Sequence, residues 1–317
     1  MIRRILSFLL CIGLSMVCLS GCFLPNEGSE SAEGKLRIVA TLFPQYDFAK
    51  AIAGDKAEVT LLLPPGAESH NYEPTPQDIL SIHNADLFLY TGAEMEPWAE
   101  SLVESLPTRD SVVDVSAGIS LIPMEDEEGH DHHEEEHAHH HHTYDPHIWT
   151  SPVYAKQIVQ TISRALCTHD PQNAAYYRAN TQRYLAELET LNQAFLSVTA
   201  QAKRKELIFG SPFSLYYFTS QYGLSYQAAF DSCSGESEPS VRTLVSLIEH
   251  IKKEKIPVVY TTELTDTRIA QTICEETGAK LLLFHSCHNI SREEFQQGAT
   301  YLSLMYQNVE NLKEGLE

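Results

Sequence analysis

Basic charge is scarce in this chain. Its 317 residues carry 22 Lys and Arg against 43 Asp and Glu, a formal charge of −21, which excludes a nucleic-acid backbone as a partner. The one HExxH match, His133-Glu134-Glu135-Glu136-His137, falls inside a run of His and acidic residues too polar to pack the helix that motif needs, and no Ser or Cys sits in a nucleophile-elbow motif. The sequence signals of a zinc hydrolase are therefore poor, and the chain reads as something other than an enzyme. Cysteine is sparse too. Of the seven, Cys11 and Cys18 fall within an N-terminal leader and Cys22 at its end, leaving Cys167, Cys233, Cys274 and Cys287. Cys167 and Cys274 lie in helical patterns and read as buried thiols, whereas Cys233 and Cys287 lie in predicted loops and form a candidate disulfide for an exported protein.

The leader has Arg3 and Arg4, an apolar run from Ile5 to Leu19, and no acidic residue before Glu27. That is the pattern of an export signal (1–21) rather than a membrane-spanning anchor. Its last residues, Leu19-Ser20-Gly21-Cys22, resemble a bacterial lipobox, which implies cleavage before Cys22 and its lipidation. Residues 22–34, rich in Ser, Glu, Asn and Gly, are too polar to pack and read as a flexible tether to the membrane.

From Lys35 the chain alternates β-rich runs with helical segments. A strand at 36–41, a helix at 44–53 stopped by Gly54 and a strand at 58–62 make a βαβ unit. Thr75-Pro76-Gln77-Asp78 supplies an N-cap hydroxyl, a first-turn proline and a first-turn carboxylate. Strands at 86–90 and 111–115, with a helix at 97–106 between them, complete a four-stranded parallel sheet flanked by helices. A helix at 152–167 follows, and His169-Asp170-Pro171 opens a second helical stretch to about Lys203, which reads as a strut about 45 Å long. Strands then recur at 206–209, 224–229, 257–261 and 280–284, with helices at 213–222, 239–254 and 265–277 between them. The closing segment from Ser291 to Leu316 reads as one helix opened by a capping box. The expected fold is α/β with two lobes, 35–168 and 205–317, each on a mainly parallel four-stranded sheet, joined by a backbone helix over 169–204.

Chemistry concentrates in a few places. Residues 125–142 contain eight His and eight acidic residues and almost nothing apolar. Such a segment cannot form its own core. Its imidazoles (His130, His132, His133, His137, His139, His140, His141 and His142) suit zinc, copper and nickel, and its carboxylates raise the local cation concentration, so it reads as an accessory metal-collecting loop. A solvated charge run is the plain alternative. Two further histidines lie in proline-stiffened loops: His70 in PPGAESHNYEP, beyond a strand end where open α/β sheets bind ligands, and His147 in DPHIW. Glu68, Glu73 and Asp145 flank them as possible orienting carboxylates, although loop carboxylates are often no more than that.

The lipobox, GAESHNYEPTPQD, the acidic His-rich loop, DPHIW and the long helix together resemble the zinc-binding lipoproteins of bacterial ABC metal importers, over essentially the whole mature chain. The resemblance implies a monomeric receptor whose partners are a permease and its ATPase. It also implies a metal held in the interlobe cleft by histidines of both lobes, often with a carboxylate. His70 and His147 match two family ligands. The third family histidine belongs to an HDAFGYF-like motif, but this chain reads Ile208-Phe209-Gly210-Ser211-Pro212-Phe213, without a histidine. The second lobe must then supply its donor elsewhere, and the order of preference is His285, just past a strand, then Glu263, His288 and Cys287.

Three imidazoles around one ion favour zinc over manganese, which prefers more oxygen. His70, His147, Glu263 and one further donor would also suit manganese or iron(II), and the His-rich loop returns the choice to zinc. A surface adhesin remains the competing role, with no adhesive feature in the chain to mark it.

Overall fold

The N-terminal lobe is ordered by short strands whose apolar residues point both ways, as a sheet covered on two faces requires. The structure is a computed structural model that describes residues 34–106, 109–124, 144–230 and 238–317. Strands β1 (Leu36–Ala40), β2 (Ala57–Leu61), β3 (Leu87–Tyr90) and β4 (Val112–Asp114) form one sheet in the order β2-β1-β3-β4, every pair parallel. Helices α1 (Phe43–Ala53), α2 (Pro76–His83) and α3 (Pro97–Ser105) connect them. Helix α2 starts where the sequence says it should: Thr75 Oγ1 accepts the Asp78 N–H, and the Asp78 carboxylate accepts back from the Thr75 N–H. A two-residue antiparallel bridge, β5 (Ile122–Pro123) with β6 (Tyr144–Asp145), is an element that sequence patterning did not indicate.

Past a single 3-10 turn at Ile148–Thr150, α4 (Pro152–His169) leads through a second such turn at Pro171–Asn173 into α5 (Ala174–Gln201). At 28 residues, α5 is about 42 Å long. The expected strut is thus present, but its first turn is 3-10, because Asp170 caps the Asn173 N–H and Pro171 has no N–H to give.

The C-terminal lobe repeats the plan with β7 (Glu206–Phe209), α6 (Tyr216–Tyr222), β8 (Ser225–Ala228), α7 (Val241–Glu254), β9 (Val258–Thr261), α8 (Arg268–Thr277) and β10 (Lys280–Leu283). Its sheet order, β10-β9-β7-β8, again all parallel, is the same second-first-third-fourth arrangement as the N-terminal sheet. The end of β7 lies tight against α8: a Cβ on Gly210 would sit 2.5 Å from the Ala270 Cβ. The closing segment is two helices rather than one. After α9 (Arg292–Gln296), Gly298 takes φ +75° and Thr300 caps a new start for α10 (Tyr301–Leu316), so the glycine ends the first helix instead of being carried through it.

Residues 36–317 form one compact unit. One continuous apolar cluster takes in Ile38 and Leu89 from the first sheet, Leu188 and Phe195 from α5, and Phe209 and Tyr260 from the second. Polar joints reinforce it. The buried Asp47 carboxylate on α1 accepts from the Tyr301 N–H at the start of α10 (3.0 Å) and from the Tyr184 hydroxyl on α5 (3.3 Å), and Asn180 donates to the Ile52 carbonyl. Burial pushes the Asp47 pKa up to about 6, against the pull of those hydrogen bonds. No helix among the described residues is long and apolar enough to cross a membrane.

Candidate metal centre

Three loops beyond strand ends bring one histidine each to the same point. His70 lies in the 62–75 loop after β2, His147 just after β6, and His288 in the loop after β10. One ring nitrogen from each lies within 4.8 Å of those of the other two. The ring centroids are 5.5 Å apart for His70 and His147, 5.1 Å for His70 and His288, and 4.3 Å for His147 and His288. His147 is buried and the other two are half-buried. Two of the three come from the N-terminal lobe and one from the C-terminal lobe.

Each loop is held by its neighbours rather than by its own chain alone. In the His70 loop, the Ala67 N–H returns to the Pro64 carbonyl and the Glu68 carboxylate accepts from the Asn71 N–H. The same loop is pinned from the other lobe: Asn289 Nδ2 donates to the Pro64 and Ala67 carbonyls at 2.9 and 2.8 Å, and the Gly66 N–H reaches the Ile290 carbonyl. His147 is fixed by Asp145, whose Oδ1 accepts from the His147 N–H and pairs with the ring Nδ1. Tyr217 of α6 donates across to the Asp145 carbonyl at 2.7 Å. Trp149 sends its indole N–H to the Ser286 carbonyl at 3.0 Å, and its ring lies 4.9 Å from that of His288.

The hydrogen-bond pattern decides which nitrogen each ring offers. A carboxylate on Nδ1 holds the proton there, so His147 presents Nε2. Ser286 donates its one hydroxyl proton to Glu263 Oε1 (2.6 Å), so toward His288 Nδ1, 3.3 Å away, it acts as acceptor. His288 then also carries its proton on Nδ1 and presents Nε2. Glu263 completes this support by accepting from the backbone N–H groups of Ser286 and His288.

The sequence-derived candidates therefore part company. His70 and His147 lie in the group, but the second-lobe member is His288, third in the order of preference, and neither His285 nor Glu263 joins it. His285 is turned into its own lobe. Its backbone N–H donates to Asn308, Asn308 donates back to its carbonyl, and its Nδ1 accepts from the Cys287 N–H at 2.9 Å. Glu263 acts through Ser286 instead of reaching the group. Cys287 is buried in the core with φ +61° and carries a free thiol, so the expected Cys233–Cys287 disulfide is not formed. Cys233 itself lies outside the described residues, as do Cys22 and the His-rich segment 125–142. Cys167 and Cys274 are free thiols on helices, but half-buried rather than buried as their positions implied. The Ser286 hydroxyl and the Trp149 indole carried no sequence signal of a role.

A cavity of about 450 Å³ opens beside the group, with His70 and His288 in its wall.

Comparison with known proteins gives a consistent set. Residues 38–315 match the family described as the periplasmic component A of a zinc-uptake complex, ZnuA. The chain is 37% identical over 293 residues to the high-affinity zinc uptake system protein ZnuA of Bacillus subtilis, covering 92% of this chain and 91% of that protein. It is 34% identical over 307 residues to the zinc-binding lipoprotein AdcA of Streptococcus pneumoniae, covering 96% of this chain but only 60% of AdcA. Among solved structures, the Zn(II)-bound ZnuA-like domain of that AdcA superposes with a TM-score of 0.76 at 31% identity, covering 89% of this chain and 99% of the domain. The metal-dependent lipoprotein YcdH of Bacillus subtilis does so at 0.75 and 34%, with the same coverage.

Proposed function

The chain belongs to the ZnuA family of zinc-uptake components, and from that premise we propose that His70, His147 and His288 capture a single Zn²⁺ between the two lobes for transfer to an ABC importer. The family is one of solute-binding proteins, not of enzymes, and zinc is its cargo. What carries the reading is the convergence of three imidazoles from three separate loops of both lobes. Zinc accepts three nitrogen ligands and a fourth donor in tetrahedral array, whereas manganese and iron(II) call for more oxygen. The orienting partners of His147 and His288 are of the kind that raise ligand basicity and fix ring direction around zinc.

The lobes in this proposal are 35–168 and 205–317, with 169–204 as the strut. The protein works outside the cytoplasm as a monomer, held to the membrane by a lipid on Cys22 and served by a permease and its ATPase. Residues 125–142 collect zinc loosely and raise its concentration near the tight site. A chelator-competition titration separates the two roles: the pair His70→Ala and His147→Ala abolishes one tight equivalent, while deletion of 125–142 removes only weaker binding. Tight stoichiometric binding that survived both histidine changes would contradict the assignment.

A further inference from the structure

The Tyr217 hydroxyl on α6 holds two backbone groups of the other lobe at once: it accepts from the Ile122 N–H at 2.9 Å and donates to the Asp145 carbonyl at 2.7 Å. Ile122 and Asp145 are register partners in the β5–β6 bridge, so one oxygen clips both strands together from across the lobe boundary. Its direction is fixed. A backbone N–H can only give a proton and a carbonyl can only take one, and burial raises the Tyr217 pKa above the ordinary tyrosine value, which keeps that single proton in place. The ring is fully buried and packs edge-on against Tyr154 of α4, with centroids 5.0 Å apart, which fixes the body that carries the hydroxyl.

The clipped peptide leads straight into a member of the histidine group. Asp145 Oδ1 accepts from the His147 N–H at 3.1 Å and pairs with the His147 ring Nδ1. The one residue between them is Pro146, whose ring locks its own φ. Holding the Asp145 carbonyl therefore holds the planar peptide from which the Asp145 side chain and the His147 backbone both depart. The far end of the same segment is held separately, by the Trp149 indole on the Ser286 carbonyl (3.0 Å) and the Tyr301 hydroxyl on the Trp149 carbonyl (2.7 Å). We propose that Tyr217 is a positioning residue for zinc: through the Asp145 peptide, the C-terminal lobe sets the direction in which His147 of the N-terminal lobe presents Nε2. This rests on the three-histidine reading of the tight site. The Asp145 carboxylate selects the tautomer, and Tyr217 sets the angle.

The same helix carries a control. Tyr222, also buried on α6, donates its hydroxyl to Asn192 Oδ1 on α5 at 2.9 Å. Removing either hydroxyl leaves a buried polar partner unsatisfied and costs stability, so a merely structural role gives the two residues the same outcome.

The test is chelator-competition zinc titration of the full chain carrying Tyr217→Phe or Tyr222→Phe, together with the visible spectrum of one equivalent of cobalt(II) standing in for zinc. Tyr217→Phe lowers zinc affinity about tenfold, the lower end of the loss typical of a group that supports a ligand, and shifts the cobalt bands, which report ligand angles. Tyr222→Phe leaves both unchanged. Unaltered affinity in Tyr217→Phe, or equal losses in the two variants, overturns the proposal. Amide exchange in the unaltered chain gives a second reading that needs no variant to fold. Coupling is reciprocal, so the Ile122 N–H exchanges about tenfold more slowly once one zinc is bound, while the Arg37 N–H, held by Asp86 at 2.7 Å, keeps its rate. An Ile122 rate that zinc does not move overturns the proposal as well. Failure of the underlying reading shows separately, as one tight zinc retained by His147→Ala with Tyr217 intact.

Discussion

At the mouth of the N-terminal sheet the Glu96 carboxyl bridges Thr41 and Thr91, whereas at the equivalent place in the C-terminal sheet Ser211 and Thr262 meet and leave open space. Among the described residues the two lobes also contribute unevenly to the histidine group, two against one. Yet the strand order, the parallel pairing and the alternation of strand and helix are the same in both. The scaffold therefore sets where a site can be, and the loops set what it binds. Sites built this way change chemistry through side chains beyond the strand ends with little disturbance to the core.

The largest effect expected from this asymmetry falls on His288, the one C-terminal member of the group among the described residues. His288→Ala should weaken zinc binding more than about 100-fold, beyond the loss typical of a supporting residue, while His285→Ala leaves one tight equivalent in chelator competition on the folded protein. The reverse outcome would move the second-lobe donor to His285. Next come the groups that orient the rings. Asp145→Asn and Ser286→Ala should each lower zinc affinity by about 10- to 100-fold, Asp145→Asn by more, since its carboxylate holds a buried ring directly while Ser286 sits 3.3 Å from its ring. Equal losses would say that the two lobes hold their ligands in the same way.

A smaller effect lies in the clamp between lobes. Asn289→Ala removes the donors to the Pro64 and Ala67 carbonyls and should cost about 1–3 kcal/mol in denaturant unfolding, with zinc affinity falling less than for His288→Ala. The last concerns the crevice filled by Glu96 and is read as a pH slope rather than a lost affinity. Burial pushes the Glu96 pKa up from 4.5 to about 8, against the hydrogen bonds from Thr41 and Thr91. A carboxyl raised in the folded state favours folding below its unfolded value, and that advantage is lost as pH rises through the folded one. Stability should thus fall between pH 4.5 and 8, at most about 1.4 kcal/mol per pH unit for one group. Glu96→Gln should remove the Glu96 part of that slope throughout the window, flattening it above pH 6 and leaving below it the contribution of Asp47, which ends near 6. An unchanged slope up to pH 8 would mean that Glu96 is ionised in the fold.

Much of the scaffold was legible in the sequence. The βαβ rhythm, the Thr75 cap and the strut from Ala174 to Gln201 follow from patterning and local caps, which act over a few residues. His70 and His147 were legible because proline-stiffened loops set them apart. The second-lobe member of the histidine group was not. The choice between His285 and His288 turns on Cys287 adopting a left-handed backbone and on Asn308, 23 residues further on, clasping His285. A non-glycine residue at positive φ gives no composition signal, and a contact between separate elements gives none either. The split of the last helix was readable at Gly298, but the apolar spacing on either side continues through it and hides the break.

The most direct test is an anomalous difference map at the zinc edge from crystals of the zinc-loaded protein. One strong peak is expected about 2.0–2.1 Å from ring nitrogens of His70, His147 and His288 together. A peak coordinated by His285 or Glu263 in place of His288 would contradict it.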